Sequence, residues 1–547
     1  MLTRRAASRT ALVVVVVVIL VLSGIGVYYL NPSRGSTSTT TTSASTTAAY
    51  GGTLNVGLVE APTTLNPLIT TANQVHYITG QIFDPLLYYN VNMNPEPAIA
   101  QSWTISPDGK TYTFNLVKNA TFTDGTPLTS TDVAFSLNAS KYYNPLGSTC
   151  FQYMTSISTP NAYEVVVSLS KPYAPFIKCL GGWILNILPA NLYSSGSLLT
   201  NPYNLKPVGS GPFMLKSYVQ NQYVELVRNP NYWQKGKPYL NEIVFHIYSN
   251  PQSMVLALQQ HQIQFVPENV PYSSVLTLKA DSSIVMSSIP EITMPNTEML
   301  YFNLRNPILS NINVRHAIAY ALNTTLINQL ATNGTGIPVD GPIPPSVLSN
   351  TTGVSTYPYN TTLANQLLDQ AGYPRQSNGT RFSLGLIYIA TLGERVAMAN
   401  VIKSELSQVG INVVLNAVDF ATQTNLVYTD WNFQMFIGGI GDGPDPSIGV
   451  ARYLVSSEIG HVPFTNAEGY NNSQIDQLFA EAATVTNPAQ RTAIFLQIQQ
   501  ITTHDLPAYW LFIDSYPTAW TTNVHGMPLG PWSDSEPMSN VWLTPGT

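Results

Sequence analysis

Charged residues are scarce in this sequence. Asp, Glu, Lys and Arg make up 10% of its 547 residues, against about a quarter in ordinary soluble domains. The formal net charge is −6, and no acidic or basic run follows the N-terminal segment, so the chain lacks the positive surface that nucleic acids require. We therefore expect no nucleic-acid partner.

The motifs of common enzyme classes are also absent. The sequence contains no H-E-x-x-H, no G-x-S-x-G, no phosphate-binding P-loop and no C-x-x-C pair, and its seven histidines are scattered. We predict that the protein is not an enzyme and that it uses no cofactor and no metal.

One long apolar run is present near the N-terminus. Arg4, Arg5 and Arg9 precede twenty uncharged residues at 11–30, which is long enough to span a bilayer. A positive flank keeps the start of such a chain in the cytoplasm. We predict that residues 1–30 form a single transmembrane anchor in the cell membrane, with the rest of the chain on the extracellular side. A cleaved signal segment is the alternative, although its apolar region is usually shorter.

A tract rich in Ser and Thr follows at residues 31–50. It has too few apolar residues to fold, so we predict a stalk. Asn-x-Ser/Thr sequons occur beyond it at Asn119, Asn138, Asn333, Asn360, Asn378 and Asn471. They allow a glycoprotein, but a chain this rich in Asn, Ser and Thr produces about as many by chance. A noncatalytic surface glycoprotein is one functional alternative.

Only two cysteines are present, Cys150 and Cys179. Outside the cell disulfides persist, so we predict that these two are bridged across a loop of about thirty residues. Two buried free thiols are the alternative.

Local patterns in the folded part indicate strands and helices. Leu54, Val56 and Leu58 alternate as in a strand. Two β-like runs flank the turn at 107–109, which predicts a hairpin. Helical stripes of apolar residues occur at 314–322, 363–371 and 398–409, and the last is followed directly by a β-rich run. The chain is therefore predicted to be α/β.

Six stretches resemble the dipeptide and oligopeptide type of extracellular solute-binding proteins, family 5, in the family's order. They are "PAIAQSWTISPDGKTYTFNLVKNATFTDGTPLTSTDVAFSL", "GSGPFML", "LVRNPNYW", "LYFNLRNPILSNINVRHAIAYALN", "LLDQAGYP" and "GDGPDP". The resemblance implies a periplasmic-binding-protein-like fold of two α/β lobes with an inserted subdomain. It also implies an ABC importer, in which permease and ATPase subunits are the partners.

The resemblance implies domain boundaries as well. Lobe I would comprise residues 51–92, 205–295 and 515–547. The inserted subdomain would comprise 93–204, and lobe II 296–514. Ligand would be enclosed between the lobes.

The stretch "GDGPDP" corresponds to the family's Trp-x-Ala-Asp-Tyr-Pro-Asp-Pro, whose first Asp pairs with the ligand's ammonium. Asp442 takes that place, and capping of the Gly443-Pro444 turn is its alternative role. A turn role is the favoured one for Asp445. Gly439 and Gly443 replace two aromatic residues of the family pattern, which predicts a wider site and a closer approach of ligand to the backbone.

The substrate class stays open between two alternatives. Peptide is the family's common ligand, but a C-terminal carboxylate needs a cation, and only Arg452 lies nearby in sequence. Oligosaccharide is the alternative, because 31 Tyr and 8 Trp offer stacking surfaces. The candidates are Trp431, Trp183 and Trp103. Glu60, just after the first predicted strand, is a further candidate ligand residue.

Overall fold

The structure is a computed structural model that describes residues 48–90, 93–287, 295–515, 517–528 and 536–544. The predicted anchor at 1–30 and most of the predicted stalk lie outside the described residues. Within the described ranges, no helix is both long enough and apolar enough to cross a membrane.

The strands are numbered in chain order. They are β1 (Thr53–Leu58), β2 (Leu87–Tyr89), β3 (Pro95–Pro97), β4 (Ala100–Ile105), β5 (Thr111–Leu116), β6 (Met154–Asn161), β7 (Glu164–Leu169), β8 (Phe213–Val219), β9 (Tyr223–Arg228), β10 (Glu242–Ile247), β11 (Phe265–Val266), β12 (Ile284–Ser287), β13 (Asn296–Phe302), β14 (Ile337–Pro338), β15 (Phe382–Ile389), β16 (Ile411–Val418), β17 (Met435–Gly441), β18 (Ala508–Ile513), β19 (Thr518–Thr521), β20 (Val524–His525) and β21 (Trp542–Leu543).

The helices belong to two length classes. The longer ones are Asn73–Ile82, Ser130–Tyr143, Pro251–Gln259, Tyr272–Ala280, Ile312–Tyr320, Thr324–Thr332, Thr361–Gln370, Gly393–Gln408, Ser473–Thr484 and Pro488–Asp505. The short ones are Gly147–Cys150, Ala190–Tyr193, Phe420–Thr424 and Ala451–Leu454.

A seven-stranded sheet has the order β12-β19-β11-β1-β10-β9-β8. Its central strand β1 runs parallel to both neighbours, and the outer pairings are antiparallel. Leu54, Val56 and Leu58 of β1 are all buried in the core beneath this sheet. The alternating pattern in the sequence therefore marked a central strand correctly.

A four-stranded antiparallel sheet has the order β4-β5-β7-β6. The predicted hairpin joins β4 to β5, and Gly109 makes its turn with φ of +67°. The helix Ser130–Tyr143 follows, and the backbone N–H of Thr129 donates to Asp132 Oδ2 at 2.8 Å as part of a capping box at the start of the helix. These elements carry a separate hydrophobic core.

A six-stranded mixed sheet has the order β14-β18-β13-β17-β15-β16. Strands β15, β16 and β17 run parallel, so their carboxyl ends lie at one edge of the sheet. The three predicted helices of this region are present, and Gly410, with φ of +85°, separates the helix Gly393–Gln408 from β16. The largest core packs against this sheet. Ligands of α/β folds bind at the carboxyl ends of parallel strands.

Candidate ligand-binding site

Asp442 directly follows β17 at that carboxyl edge. Thr297 on the neighbouring strand β13 donates its hydroxyl to Asp442 Oδ2 at 2.8 Å. Asp442 Oδ1 is buried and has no hydrogen-bond partner among the described residues. Burial raises the pKa of Asp442 well above its ordinary value, and the Thr297 hydrogen bond opposes that rise only in part. Asp442 therefore carries a buried acceptor atom that nothing in the described chain satisfies.

A cavity of about 450 Å³ adjoins this carboxylate. We call it the Asp442 cavity. Lys178 and Met93, from the predicted inserted subdomain, line one part of it, and Asp442, Arg491 and Phe495 line another. The cavity thus lies between two regions that are far apart in sequence.

The second carboxylate of the motif, Asp445, is fully engaged. Arg491 donates to both of its oxygens, from Nη1 at 2.6 Å and also from Nη2, and the backbone N–H of Ser447 donates to Oδ1 at 2.9 Å. Burial alone would raise the pKa of Asp445, but the charge and hydrogen bonds of Arg491 hold it below its ordinary value. Asp445 therefore has the turn role expected for it and, in addition, neutralises Arg491.

Lys178 lies on a short 3-10 helix, Phe176–Cys179, beside the Asp442 cavity. Cys179 at the end of this helix is disulfide-bonded to Cys150, with 5.9 Å between their Cα atoms. The Lys178 ammonium makes no hydrogen bond or ion pair with any residue that the structure describes. Burial lowers its pKa, and the charge of Asp445 opposes that change.

A second cavity, of about 710 Å³, lies beside the helix Gly393–Gln408 and is lined by Tyr272, Asn296, Glu298, Arg395 and Asp514 among others. We call it the Glu298 cavity. Arg395 donates to Glu298 Oε1 at 2.8 Å and to Oε2 at 3.1 Å. Arg395 in the Glu298 cavity and Arg491 in the Asp442 cavity are therefore both already paired with carboxylates.

The structure corrects the prediction made for Gly439. A Cβ at this position would lie 2.4 Å from both Asn296 Nδ2 and Glu298 Oε1. The space left by the missing aromatic ring is therefore filled by the Glu298 ion pair, and it does not widen a ligand site. Gly443 does line the Asp442 cavity, but its φ of +69° and a neighbour at 3.0 Å, the backbone N of Gly449, show that the turn itself requires glycine.

One edge of β17 lacks a strand partner near Asp442. Strand β17 pairs with β13 from Met435 to Gly441, but with β15 only at Met435 and Phe436. Beyond Phe436, no described strand pairs with the second edge, and at Ile437 the side chain of Gln423 donates to the backbone oxygen at 2.9 Å. A Cβ at Gly441 would meet nothing within 4 Å, so there is open space on the side of the last residue that a side chain would occupy.

The other predicted ligand residues lie elsewhere. Trp431 precedes β17 at its opposite end, where its ring is held between Arg305, at 3.9 Å, and the ring of His461, at 4.1 Å. Glu60 is exposed and accepts a hydrogen bond from Gln74 at 3.0 Å. Arg452 is half-buried, and Glu458 provides a nearby opposite charge. None of Trp431, Glu60 and Arg452 lines the Asp442 cavity or the Glu298 cavity.

Comparison with known proteins agrees with this architecture. The family model of bacterial extracellular solute-binding proteins, family 5, matches residues 94–461. The chain belongs to this family. The resemblance that the sequence predicted is thus confirmed, and so is the two-lobed α/β fold.

Two relatives of this family 5 protein are named for different ligands. A Brucella ovis protein named as an ABC transporter peptide-binding protein is 28% identical over 505 residues, which cover 88% of this chain and 89% of the relative. The glutathione-binding protein GsiB of Escherichia coli is 25% identical over 481 residues, 86% of this chain and 90% of the relative.

Solved structures are similar along nearly the whole chain. The periplasmic binding protein DppA of Helicobacter pylori, in complex with the peptide STSA, has a TM-score of 0.73 and 25% identity, and the match covers 90% of this chain and 98% of that one. The oligopeptide-binding protein AppA of Bacillus subtilis has a TM-score of 0.74 at 24% identity, over 91% and 100% of the two chains, and supports the fold alone.

Proposed function

We propose that this protein is the extracellular substrate-binding component of an ABC importer. It captures peptides between its two lobes and delivers them to a membrane permease that ATPase subunits drive. Family membership supports the transport role, and the Brucella ovis relative named as peptide-binding and the peptide complex of DppA support the substrate class. The observation that carries the peptide assignment is the buried, unpartnered Oδ1 of Asp442 at the wall of a cavity.

A ligand ammonium is the natural partner for this atom. A buried acceptor without a hydrogen bond costs free energy, and a charge-assisted bond from a cation removes that cost. The ammonium at the N-terminus of a peptide also favours the ionised form of Asp442, which burial disfavours in the free protein.

The open edge of β17 supports an extended peptide rather than another amine. A peptide backbone can add to an unpaired strand edge through main-chain hydrogen bonds. Strand β17 ends at Gly441, directly before Asp442, so a peptide that adds antiparallel to β17 has its N-terminus near the carboxylate. Side chains of the peptide would then point alternately to the two sides of the added strand.

Oligosaccharide is not favoured by the same observations. Sugars need aromatic faces on which to stack, and Trp431, the principal candidate, is held between Arg305 and His461 away from both cavities. The aromatic residue that lines the Asp442 cavity is Phe495.

The proposal includes a position in the cell. Residues 1–30 form a single transmembrane anchor, residues 31–50 form the stalk, and the binding body lies on the extracellular side. The arginines before the apolar run support this orientation. The boundaries of lobe I, the inserted subdomain and lobe II remain those implied by the family resemblance.

Calorimetric titration of the full-length protein in detergent tests the substrate class. Peptides and oligosaccharides are titrated against wild type, Asp442→Asn and the control Asp430→Asn, which removes an exposed carboxylate elsewhere in lobe II. We expect peptides alone to bind, and Asp442→Asn to weaken binding by roughly 2 to 5 kcal/mol, because it removes half of a desolvated ion pair. A loss nearer about 1 kcal/mol with a bound sugar would fit hydroxyl ligands instead. Peptide affinity unchanged in Asp442→Asn would contradict the proposed site.

A further inference from the structure

We propose that Lys178 binds the C-terminal carboxylate of the ligand, in the same cavity in which Asp442 binds its N-terminal ammonium. The protein would then select short peptides in which both termini are free. This inference rests on the proposed function and adds a specificity residue and a length limit to it.

Lys178 Nζ and Asp442 Oδ1 belong to the two ionisable side chains of this cavity that still have an atom without a hydrogen-bond partner in the described chain. The third charged residue in its wall, Arg491, is bound to both oxygens of Asp445. Arg491 also donates from Nε to the backbone oxygen of Ala482 at 2.7 Å. A carboxylate entering the cavity therefore meets one cation with no hydrogen-bond partner in the described chain, and that cation is Lys178.

The Lys178 side chain is half-buried, and its ammonium has no direct partner in the described chain. Asp445 is near enough to affect it electrostatically, but its oxygens are occupied by Arg491 and by the backbone of Ser447. A buried charge is costly unless it is paired and hydrogen-bonded. A ligand carboxylate supplies that partner, just as a ligand ammonium supplies the partner that Asp442 Oδ1 lacks.

The backbone that carries Lys178 is fixed in place. Lys178 N–H donates to the backbone oxygen of Pro175 at 2.9 Å, and the adjacent Cys179 is bonded to Cys150. Binding therefore orders little more than the lysine side chain, which keeps the entropic cost of the contact small.

The size of the cavity limits the length of the ligand. Its volume of about 450 Å³ lies in the lower half of the range of about 300–1,000 Å³ that is typical of small-molecule sites. A peptide that has both termini inside one such cavity is short. Met93, Val347 and Phe495 give the walls an apolar part on which its side chains can pack.

Retention of pooled random tripeptides by the full-length protein tests the inference. Three pools are offered: free tripeptides, their C-terminal amides and their N-acetyl derivatives. Mass spectrometry measures what each protein retains. We expect wild type to prefer free acids over amides by about tenfold or more, because the amide removes the ion pair with Lys178. Lys178→Met should lose this preference, and Lys178→Arg should keep most of it.

Two controls make the outcome decisive. Lys118→Met removes an exposed lysine of the same predicted subdomain, and it should behave as wild type. Lys178→Met should still reject N-acetyl peptides, because that discrimination belongs to Asp442, and this result shows that the variant is folded.

Equal retention of acids and amides by wild type, or an undiminished preference in Lys178→Met, overturns this inference and leaves the proposed function intact. Preference for a pool of nonapeptides over tripeptides overturns the length limit. Retention of no peptide in any pool overturns both the inference and the proposed function.

Discussion

Arg395 holds Glu298 by two hydrogen bonds, from Nη2 to Oε1 at 2.8 Å and from Nε to Oε2 at 3.1 Å. Arg395 lies in the first turn of the helix Gly393–Gln408, and Glu298 lies on β13. Both residues are buried. Gly439 on the adjacent strand β17 has no side chain, and the space that a side chain would fill there is occupied by the side chains of Glu298 and Asn296. The ion pair and the glycine therefore form one packing unit at the wall of the Glu298 cavity.

Substitution of Gly439 by Ala should disrupt this unit. The new Cβ would lie 2.4 Å from Glu298 Oε1, so the carboxylate must move away from Arg395. We expect the free energy of unfolding to fall by about 1 to 3 kcal/mol, which is typical of overpacking. Denaturant unfolding measures it. Gly441→Ala is the matched control, since its Cβ meets nothing within 4 Å. Equal stability of the two variants would show that the ion pair tolerates the extra methyl group.

Peptide binding should release a proton from Asp442. Burial raises the pKa of Asp442 in the free protein, and a ligand ammonium favours the ionised carboxylate, so the pKa falls on binding. Affinity should therefore weaken as pH falls. Calorimetry at one pH in two buffers of different ionisation enthalpy detects the released proton. Asp442→Asn should show no such buffer dependence at this site. A heat of binding that is the same in both buffers for wild type would mean that Asp442 is already ionised or does not contact the ammonium.

Local patterns were sufficient to predict several elements. The alternation in β1 and the hairpin turn at Gly109 depend on neighbours within a few residues, and the sequence shows those directly. The place of Asp442 at a strand end followed from the run of apolar residues and glycines before it. The presence of Lys178 in the same cavity as Asp442 could not be predicted from such local patterns.

Lys178 was missed because its role depends on tertiary structure. Nothing in the stretch around it marks a binding residue, and it reaches the Asp442 cavity only because the predicted inserted subdomain packs against the predicted second lobe. Arg452, the cation nearest to Asp442 in sequence, does not line the cavity. Gly439 was misread for the same reason, since Glu298 and Asn296, which fill its space, come from another strand.

The disulfide should affect binding as well as stability. The bond between Cys150 and Cys179 closes a loop with a sequence separation of 29 residues, and its loss should cost about 2 to 4 kcal/mol of stability. It also anchors the 3-10 helix that carries Lys178. We therefore expect the variant with both cysteines changed to Ser to bind peptide more weakly than wild type, as measured by calorimetry well below its melting temperature.

The same cysteine substitutions in the Lys178→Met background separate the two effects. If the disulfide acts on binding through Lys178, removing it there should cause no further loss of affinity. An equal loss in both backgrounds would show that the disulfide supports the site in some other way. Free-thiol labelling of unfolded, unreduced wild type should find no reactive cysteine.

Glu468 is a completely buried carboxyl group in the predicted second lobe, and neither of its oxygens has a hydrogen-bond partner among the described side chains and backbone. Burial raises its pKa from an ordinary value of 4.5 to about 8, against the smaller opposing effects of the nearby backbone of Ala467 and Glu468 and the charge of Arg305. At neutral pH the folded protein therefore holds a proton on Glu468 that the unfolded chain has released.

Because the pKa of Glu468 is higher in the folded protein than in the unfolded chain, Glu468 makes the free energy of unfolding fall as the pH rises. Between pH 4.5 and about 8 the folded state binds more protons at Glu468, so raising the pH through this window destabilises the fold, at about 1.4 kcal/mol for each pH unit. Glu468→Gln cannot lose a proton, and its stability relative to wild type should rise from pH 5 to pH 8 by a few kcal/mol. Urea unfolding at pH 5, 6.5 and 8 measures this. Glu481→Gln, at an exposed position of the helix Ser473–Thr484, should show no comparable trend. A wild-type curve parallel to that of Glu468→Gln would mean that Glu468 is ionised in the folded protein and has a partner there.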